Sequence, residues 1–294
     1  MERVTVAFDG GPASDAALAW VIDRAATVAM HLEITAVQLE TDAEYGAEGG
    51  LDSPLQGALD SAVQRVHDAR PTLVVTTRIR QGIPVDELIG ASAHCDLLVI
   101  GTNKTTPIVG VIHGTLPLKI AGRSGCTTVV VPAGWRPRAG KVVAGWFNDS
   151  IADAALDFAA NEAARLSVGL TIVHTWSAPA ASPLDMPAPA LVVEELLATS
   201  RKLLADAAHR VQVAHPELSI TQGLHSGSAA VAIVGTATNA SLVVVGSRGH
   251  GALADLFLGS VSHDVLLNMP TPVAVVPRKK QPVDVYPELV DGDA

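Results

Sequence analysis

The chain has 294 residues and a formal net charge of −10 at pH 7, and its length favours two domains over one. Apolar residues make up 48% of it and aromatic residues only 3%, which favours aliphatic cores and excludes a disordered protein. The acidic balance argues against nucleic-acid binding, because the phosphate backbone repels acidic surfaces. Since the chain has no long apolar run and no signal-like start, we expect no membrane contact and a cytoplasmic location.

The predicted elements alternate between strand and helix along the whole chain. In the first half we predict strands at 4–8, 33–38, 72–80, 97–100 and 127–131, and helices at 13–30, 55–69, 84–93 and 115–121. In the second half we predict strands at 142–146, 171–175, 219–225, 242–245 and 273–276, and helices at 152–166, 191–214, 229–239 and 260–268. The strands are continuous aliphatic runs, which is typical of strands covered by helices on both faces. The fold class is therefore α/β, with each half a doubly wound parallel sheet.

The two halves also resemble each other in sequence. A shift of 145 residues places 96–101 on 241–246, and a shift of 138 places 4–6 on 142–144. We predict two tandem domains at 1–137 and 138–278, followed by a C-terminal tail at 279–294. The connections 41–57 and 177–190 are unusually long, so each is interpreted as a lid over a site or as a disordered segment.

Cysteine and histidine give no sign of a metal or redox site. Cys95 and Cys126 lack Cys-x-x-Cys spacing, so we interpret both as small, buried, apolar side chains. The 10 histidines are scattered without metal-ligand spacing, and we expect no metal site formed by protein side chains.

A glycine-rich segment follows the strand predicted at 242–245. Gly246 and Gly249 allow a sharp turn close to a ligand, and Gly259 precedes a helix for which Ser260 is a good N-cap. The amides of residues 260–262, with the hydroxyls of Ser260 and Ser262, predict an anion site at the positive end of that helix. If the strand order is 3-2-1-4-5, this site lies where the order reverses, between strands one and four. Arg248 inside the segment either faces the phosphates or lies on the surface.

The spacing Gly-x-x-Gly, nine residues, then Gly-Ser resembles the nucleotide loop of the universal stress protein family. The segments 9–15 and 272–277 are similar to the family's first turn and last strand, so the chain looks like a tandem, two-domain member. The resemblance implies a five-stranded parallel sheet in each half. It also implies that the last strands, 127–131 and 273–276, pair within the chain under pseudo-twofold symmetry, with further association as a homodimer left open.

In its nucleotide-binding members, the family implies a site for ATP, with Mg²⁺ as the accompanying ion. Carried over by position, the acid that ends strand one is Asp9, and the backbone that contacts adenine lies near Val37 and Thr175. The phosphate loop falls in the second half, at Gly246, Arg248, Gly249, Gly259, Ser260, Val261 and Ser262.

Each half departs from the family pattern in a different place. The first half has Lys104 where the second glycine belongs, and Pro117 removes a hydroxyl and an amide from the phosphate site. The second half has Phe147 in place of the acid. Either its turn is one residue shorter, which would align Asn148 with Asp9, or the Trp146 and Phe147 side chains fill the adenine pocket.

We therefore predict a stress-response regulatory module that binds ATP or a related adenine nucleotide in its second half. The alternative is a scaffold or interaction protein of the same fold that binds no nucleotide. Without a general base placed beside the phosphates, the sequence suggests no mechanism for fast ATP hydrolysis, and Asp255 is the one acid inside the loop.

Overall fold

The computed structural model describes residues 1–39, 54–103, 116–177, 189–247, 258–268 and 271–278. Its strands are β1 Glu2–Ala7, β2 Met30–Gln38, β3 Val74–Gln81, β4 Leu97–Thr102, β5 Thr127–Pro132, β6 Val142–Gly145, β7 Leu170–Trp176, β8 Ile220–Ser226, β9 Leu242–Gly246 and β10 Val273–Val276. Its helices are α1 Pro12–Arg24, α2 Pro54–Ala69, α3 Pro84–Ser92, α4 Leu116–Arg123, α5 Ser150–Leu166, α6 Ala190–Ala214, α7 Ala229–Thr236 and α8 Ser260–Asn268.

All the described strands belong to one sheet, in the order β3-β2-β1-β4-β5-β10-β9-β6-β7-β8. Within each half the neighbouring strands run parallel, and both halves have the predicted order 3-2-1-4-5. The doubly wound α/β fold predicted from the aliphatic strands is thus confirmed in both halves.

The halves join through an antiparallel pairing of β5 with β10, which confirms the predicted contact between the last strands. Ala274 lies opposite Val129, and these positions are equivalent under the shift of 145 residues, so a pseudo-twofold axis passes between them. Because the junction is antiparallel, the carboxyl ends of the first half's strands lie at one edge of the sheet, and those of the second half lie at the opposite edge.

Two apolar layers cover the two faces of the sheet, and each layer continues from one half into the other. The helices α1, α2, α5 and α6 cover one face, and each contributes a buried leucine to it: Leu18, Leu59, Leu156 and Leu204. The helices α3, α4, α7 and α8 cover the other face and contribute Leu88, Ile120, Ile233 and Val265. The inner strands are aliphatic and covered on both faces, which explains how so few aromatic residues suffice, whereas the edge strands β3 and β8 are exposed or half-buried.

The first helix is shorter than predicted, and the second strand begins earlier. α1 ends at Arg24, where the amides of Thr27 and Val28 both bond to the Arg24 carbonyl and tighten the last turn. β2 begins at Met30, a residue that we had placed in the helix. Residues 40–53, 178–188 and 279–294, which include most of the predicted long connections and the tail, lie outside the described residues. Among the described residues, no helix combines the length and apolar character needed to cross a membrane.

Candidate functional site

The carboxyl end of β9 and the start of α8 are tied together by hydrogen bonds. The amide of Gly259 donates to the carbonyl of Ser247 at 2.8 Å, and the hydroxyl of Ser262 donates to the carbonyl of Gly246. The amide of Ser247 in turn donates to the carbonyl of Val276 at 2.8 Å, which anchors the segment to β10. These bonds fix the first turn of α8 beside the end of β9, at the point where the strand order reverses.

The first turn of α8 carries backbone donors that the helix itself does not use. The amide of His263 bonds to the carbonyl of Gly259, so Gly259 is the cap and Ser260 is the first helical residue. The prediction of Ser260 as the N-cap is therefore wrong by one residue. The amides of Ser260, Val261 and Ser262 have no carbonyl partner within the helix, as in the first turn of any α-helix. Ser260 is exposed, whereas Ser262 is buried and its hydroxyl proton is directed to Gly246.

The corresponding helix of the first half cannot present the same donors. Pro117 stands where the second half has Ser262, and it is buried as the second residue of α4. A proline has neither a hydroxyl nor an amide proton, so two donors of the second half are missing here. Lys104 lies outside the described residues.

Asp9 shapes the turn between β1 and α1. One carboxylate oxygen, Oδ1, accepts hydrogen bonds from the amide of Gly11 at 2.9 Å and from the hydroxyl of Ser14 at 2.7 Å. The residue itself is exposed. Asp9 thus lies at the carboxyl end of the first strand, where the resemblance places the acid of the site.

The equivalent turn in the second half has the same length. The amides of Phe8 and Trp146 make equivalent bonds to the neighbouring strand, and α1 and α5 each begin four residues later. Phe147 therefore occupies the place of Asp9, and the alternative alignment of Asn148 with Asp9 is wrong. The acid of this turn is Asp149, which caps α5 by accepting bonds from the amides of Ile151 and Ala152.

The two aromatic residues at the end of β6 have different surroundings. Trp146 is buried in the core, and its Nε1 donates to Asp153 at 2.9 Å, so its indole does not fill a pocket at the sheet edge. Phe147 is 49% exposed, with its ring centre 6.1 Å from that of His174. His174 is buried and its Nδ1 donates to the Trp146 carbonyl at 3.1 Å.

Three residues near the site were missed by the sequence analysis. His174, Asp149 and Ser247 position the ends of β6 and β9 through the bonds described above. The sequence carried a signal for Asp149 alone, because an aspartate followed by a helical pattern is a typical N-cap.

The candidate residues fall at two separate places. Asp9 and Val37 lie at the carboxyl ends of β1 and β2 in the first half, and Thr175 lies near the end of β7 in the second. The antiparallel junction puts Asp9 and Val37 at the sheet edge opposite Gly246, Gly259 and Ser262, so these residues cannot form one site. Arg248, Gly249 and Asp255 lie outside the described residues.

The first half borders the second half's site. A Cβ placed on Gly122, near the end of α4, would lie 3.0 Å from the amide nitrogen of Leu258, so the two segments pack closely here. Leu258 directly precedes the helix cap at Gly259. Over the residues described, no group of three or more His, Cys, Asp or Glu side chains is arranged to hold a metal ion.

The sequence profile of the universal stress protein family matches residues 1–132 and again residues 140–277. A universal stress protein of Mycolicibacterium smegmatis is 26% identical over 286 residues, which cover 93% of this chain and 96% of that protein. One from Mycobacterium tuberculosis is likewise 26% identical over 286 residues, with 92% and 96% covered.

A solved structure of a universal stress protein from Archaeoglobus fulgidus shares the fold, with a TM-score of 0.65 and 17% identity over 94% of this chain and 98% of that one. The architecture is thus a tandem of two doubly wound α/β halves, and in the second half the start of a helix is held at the end of the fourth strand. The chain belongs to the universal stress protein family.

Proposed function

We propose that the second half binds an adenine nucleotide, with ATP as the expected ligand, and that the protein acts as a regulatory module in the stress response. The proposal rests on one observation: two hydrogen bonds, Gly259 to Ser247 and Ser262 to Gly246, hold the start of α8 at the end of β9. Amides at a helix start, together with the helix dipole, favour a phosphate group at this position.

The residues present fit the phosphate part of the ligand better than its adenosine part. The exposed hydroxyl of Ser260 and the first-turn amides are suitable donors to phosphate oxygens, and Mg²⁺ would reduce the charge of the bound phosphates. Phe147 takes the place of the strand-one acid, so the adenosine part would meet a half-exposed phenyl ring there. Loss of one charge-assisted hydrogen bond weakens binding by about 10- to 150-fold, so we expect modest affinity.

Calorimetric titration of the full chain with ATP and Mg²⁺ tests the proposal. Ser262→Pro copies the first half's Pro117 and removes an amide and a hydroxyl at one position, so it should weaken binding at least about 10-fold. Gly249→Lys, which copies Lys104, should abolish the heat of ATP binding, whereas Lys104→Gly should leave that heat unchanged. Far-UV circular dichroism of each variant shows whether it has folded.

Two results would overturn the proposal. One is the absence of heat from the folded wild type at about 1 mM ATP, and the other is unchanged binding in folded Ser262→Pro. The first result would leave the scaffold without a nucleotide as the function to pursue, and the second would mean that the nucleotide binds away from the start of α8.

A further inference from the structure

Cys95 and Cys126 lie next to each other in the first half, although they are 31 residues apart in the chain. Their Sγ atoms are 3.4 Å apart, and both side chains are buried. Cys95 precedes β4 and Cys126 directly precedes β5, where Leu97 and Thr127 are neighbours across the sheet. A disulfide has an S–S distance near 2.05 Å, so the sulfurs need to approach by only about 1.4 Å.

A cavity borders this pair on the side of Cys95. It has a volume of about 400 Å³, lies on the open face of β1, β2 and β3, and has Cys95 in its wall, together with the buried Thr5. Its other polar lining residues include three arginines and one carboxylate: they are Arg3, His31, Glu33, Thr76, Arg78, Arg80 and His94. Arg3, His31, Arg78 and His94 are exposed, so the cavity opens to water and admits a small polar molecule. Cys126 lies behind Cys95 and does not line the cavity.

Either thiol can donate the hydrogen bond that joins the two sulfurs. The pKa of Cys95 is lowered, chiefly by its hydrogen bond with Cys126, and the Thr5 hydroxyl adds to this effect. Burial and the carboxylates of Asp96 and Glu33 oppose the shift. The pKa of Cys126 is raised by its hydrogen bond with Cys95 and by burial. The sulfur of the residue that lines the cavity is thus the one whose pKa is lowered, and the thiolate is the reactive form.

We propose that Cys95 and Cys126 form an oxidisable dithiol that hydrogen peroxide or a small hydroperoxide converts to a disulfide. The Cys95 thiolate attacks one peroxide oxygen and the O–O bond breaks; the products are a Cys95 sulfenic acid and, after protonation of the leaving oxygen, one water from hydrogen peroxide or one alcohol from a hydroperoxide. The Cys126 sulfur then attacks the Cys95 sulfur; the S–S bond forms, and the hydroxyl leaves with the Cys126 proton as water. Two thiols lose two electrons in total, and the peroxide gains them.

The second half provides an internal comparison. Residues 145 positions further on are Ala240 and Thr271, which are both buried, and the Thr271 hydroxyl donates to the Ala240 carbonyl at 3.2 Å. The same place in the fold is thus filled without sulfur, so the packing there does not require two thiols. The second half also supplies matched replacements, Cys95→Ala and Cys126→Thr, because these residues already fit the two equivalent positions.

Treatment of the reduced full chain with hydrogen peroxide, followed by thiol counting and intact-mass measurement, tests the proposal. We expect the wild type to lose both thiols and two hydrogen atoms of mass, as a monomer, and to recover both with dithiothreitol. Cys126→Thr should instead accumulate a Cys95 sulfenic acid that dimedone traps. Cys95→Ala should react at least about 10-fold more slowly, because its remaining thiol has a raised pKa and does not line the cavity.

Three outcomes would overturn the proposal. The first is a folded wild type that keeps both thiols under conditions in which the urea-unfolded chain loses them. The second is addition of oxygen without loss of hydrogen, and the third is a disulfide between two chains on a non-reducing gel. Because two independent variants are used, failure of one to fold leaves the wild-type result and the other variant decisive.

Discussion

Arg24 and Glu162 occupy equivalent positions in the two halves and form an ion pair with each other. The shift of 138 residues that superposes the halves relates them, and Nη1 of Arg24 lies 2.5 Å from Oε1 of Glu162 with both side chains buried. Thr27 and Arg165 are equivalent in the same way, and Arg165 donates to the Thr27 hydroxyl at 2.9 Å. Residues on a twofold axis of identical chains meet their own copies. Opposite charges at this contact are therefore available only to two halves with different sequences.

Arg24→Gln should destabilise the protein more than Glu162→Gln. Arg24 also holds Glu2 through two bonds of 2.9 Å, so its removal leaves Glu2 without this partner and Glu162 with Arg165 alone. Glu162→Gln leaves Arg24 paired with Glu2, and an amide still accepts a bond from Arg165. We expect a loss of about 3–5 kcal/mol in the free energy of unfolding for Arg24→Gln and about 1–3 kcal/mol for Glu162→Gln. Urea denaturation measures both.

A surface ion pair serves as the control for these variants. Asp15 and Arg65 form a pair that is about half exposed, so Asp15→Asn should cost less than about 1 kcal/mol. If Arg24→Gln unfolds at the same urea concentration as Asp15→Asn, the contact between the halves does not stabilise the fold as described.

Replacing Gly101 and Gly90 with alanine should change the free energy of unfolding in opposite directions. A Cβ on Gly101 would lie 2.2 Å from the Ala13 carbonyl, so Gly101→Ala must displace α1 and should destabilise by about 1–3 kcal/mol or more. Gly90 lies exposed in α3 with nothing near its Cβ position, and Gly90→Ala should stabilise by about 0.5–1 kcal/mol. Thermal unfolding of the two variants should shift in opposite directions. A destabilised Gly90→Ala would count against the helix geometry described here.

Asp149 gives α5 a side-chain cap that α1 lacks. Its Oδ1 accepts from the amides of Ile151 and Ala152 at 2.9 and 2.8 Å, whereas Gly11 caps α1 without a side chain. Asp149→Ala should lower the free energy of unfolding by about 0.5–2 kcal/mol. Asp149→Gly, which copies Gly11 of the first half, should lower the free energy of unfolding by only about a few tenths of a kcal/mol, because water then reaches the free amides. Chemical denaturation distinguishes the two, and equal losses would argue against a capping role.

The ion pair of Arg3 with Asp96 should stabilise the first half at neutral pH and lose this effect at acidic pH. Its guanidinium and its amide donate to Asp96 and lower the pKa of that carboxyl. A pKa lowered by folding stabilises above the unfolded-state value of about 3.9, and the gain is lost as the pH falls through the folded-state value. Wild type should therefore be slightly more stable than Arg3→Gln at neutral pH, and the difference should shrink below about pH 4. A difference that stays constant down to about pH 2 would exclude this pairing as its cause.

Much of the fold could be predicted because its signals are local. Aliphatic runs such as those of β4 and β9, flanked by helical patterns, indicate buried parallel strands, and the repeated pattern indicates two such sheets. The pairing of the last strands was predicted correctly, but from the family resemblance and not from a local pattern. The loop-to-helix segment at Gly259 was recognisable from glycine spacing, although its cap was misplaced by one residue.

The alternation of strands and helices and the internal repeat were thus determined by the sequence itself, because buried strands and amphipathic helices place local demands on residue type. Only the tertiary structure decided that Asp9 and the glycine segment lie at opposite edges, that Phe147 replaces the acid, and that Cys95 meets Cys126. Those relationships depend on how strands far apart in the chain align and on the direction in which the two halves of the sheet join. No local preference encodes either quantity, because both arise when whole elements pack against one another.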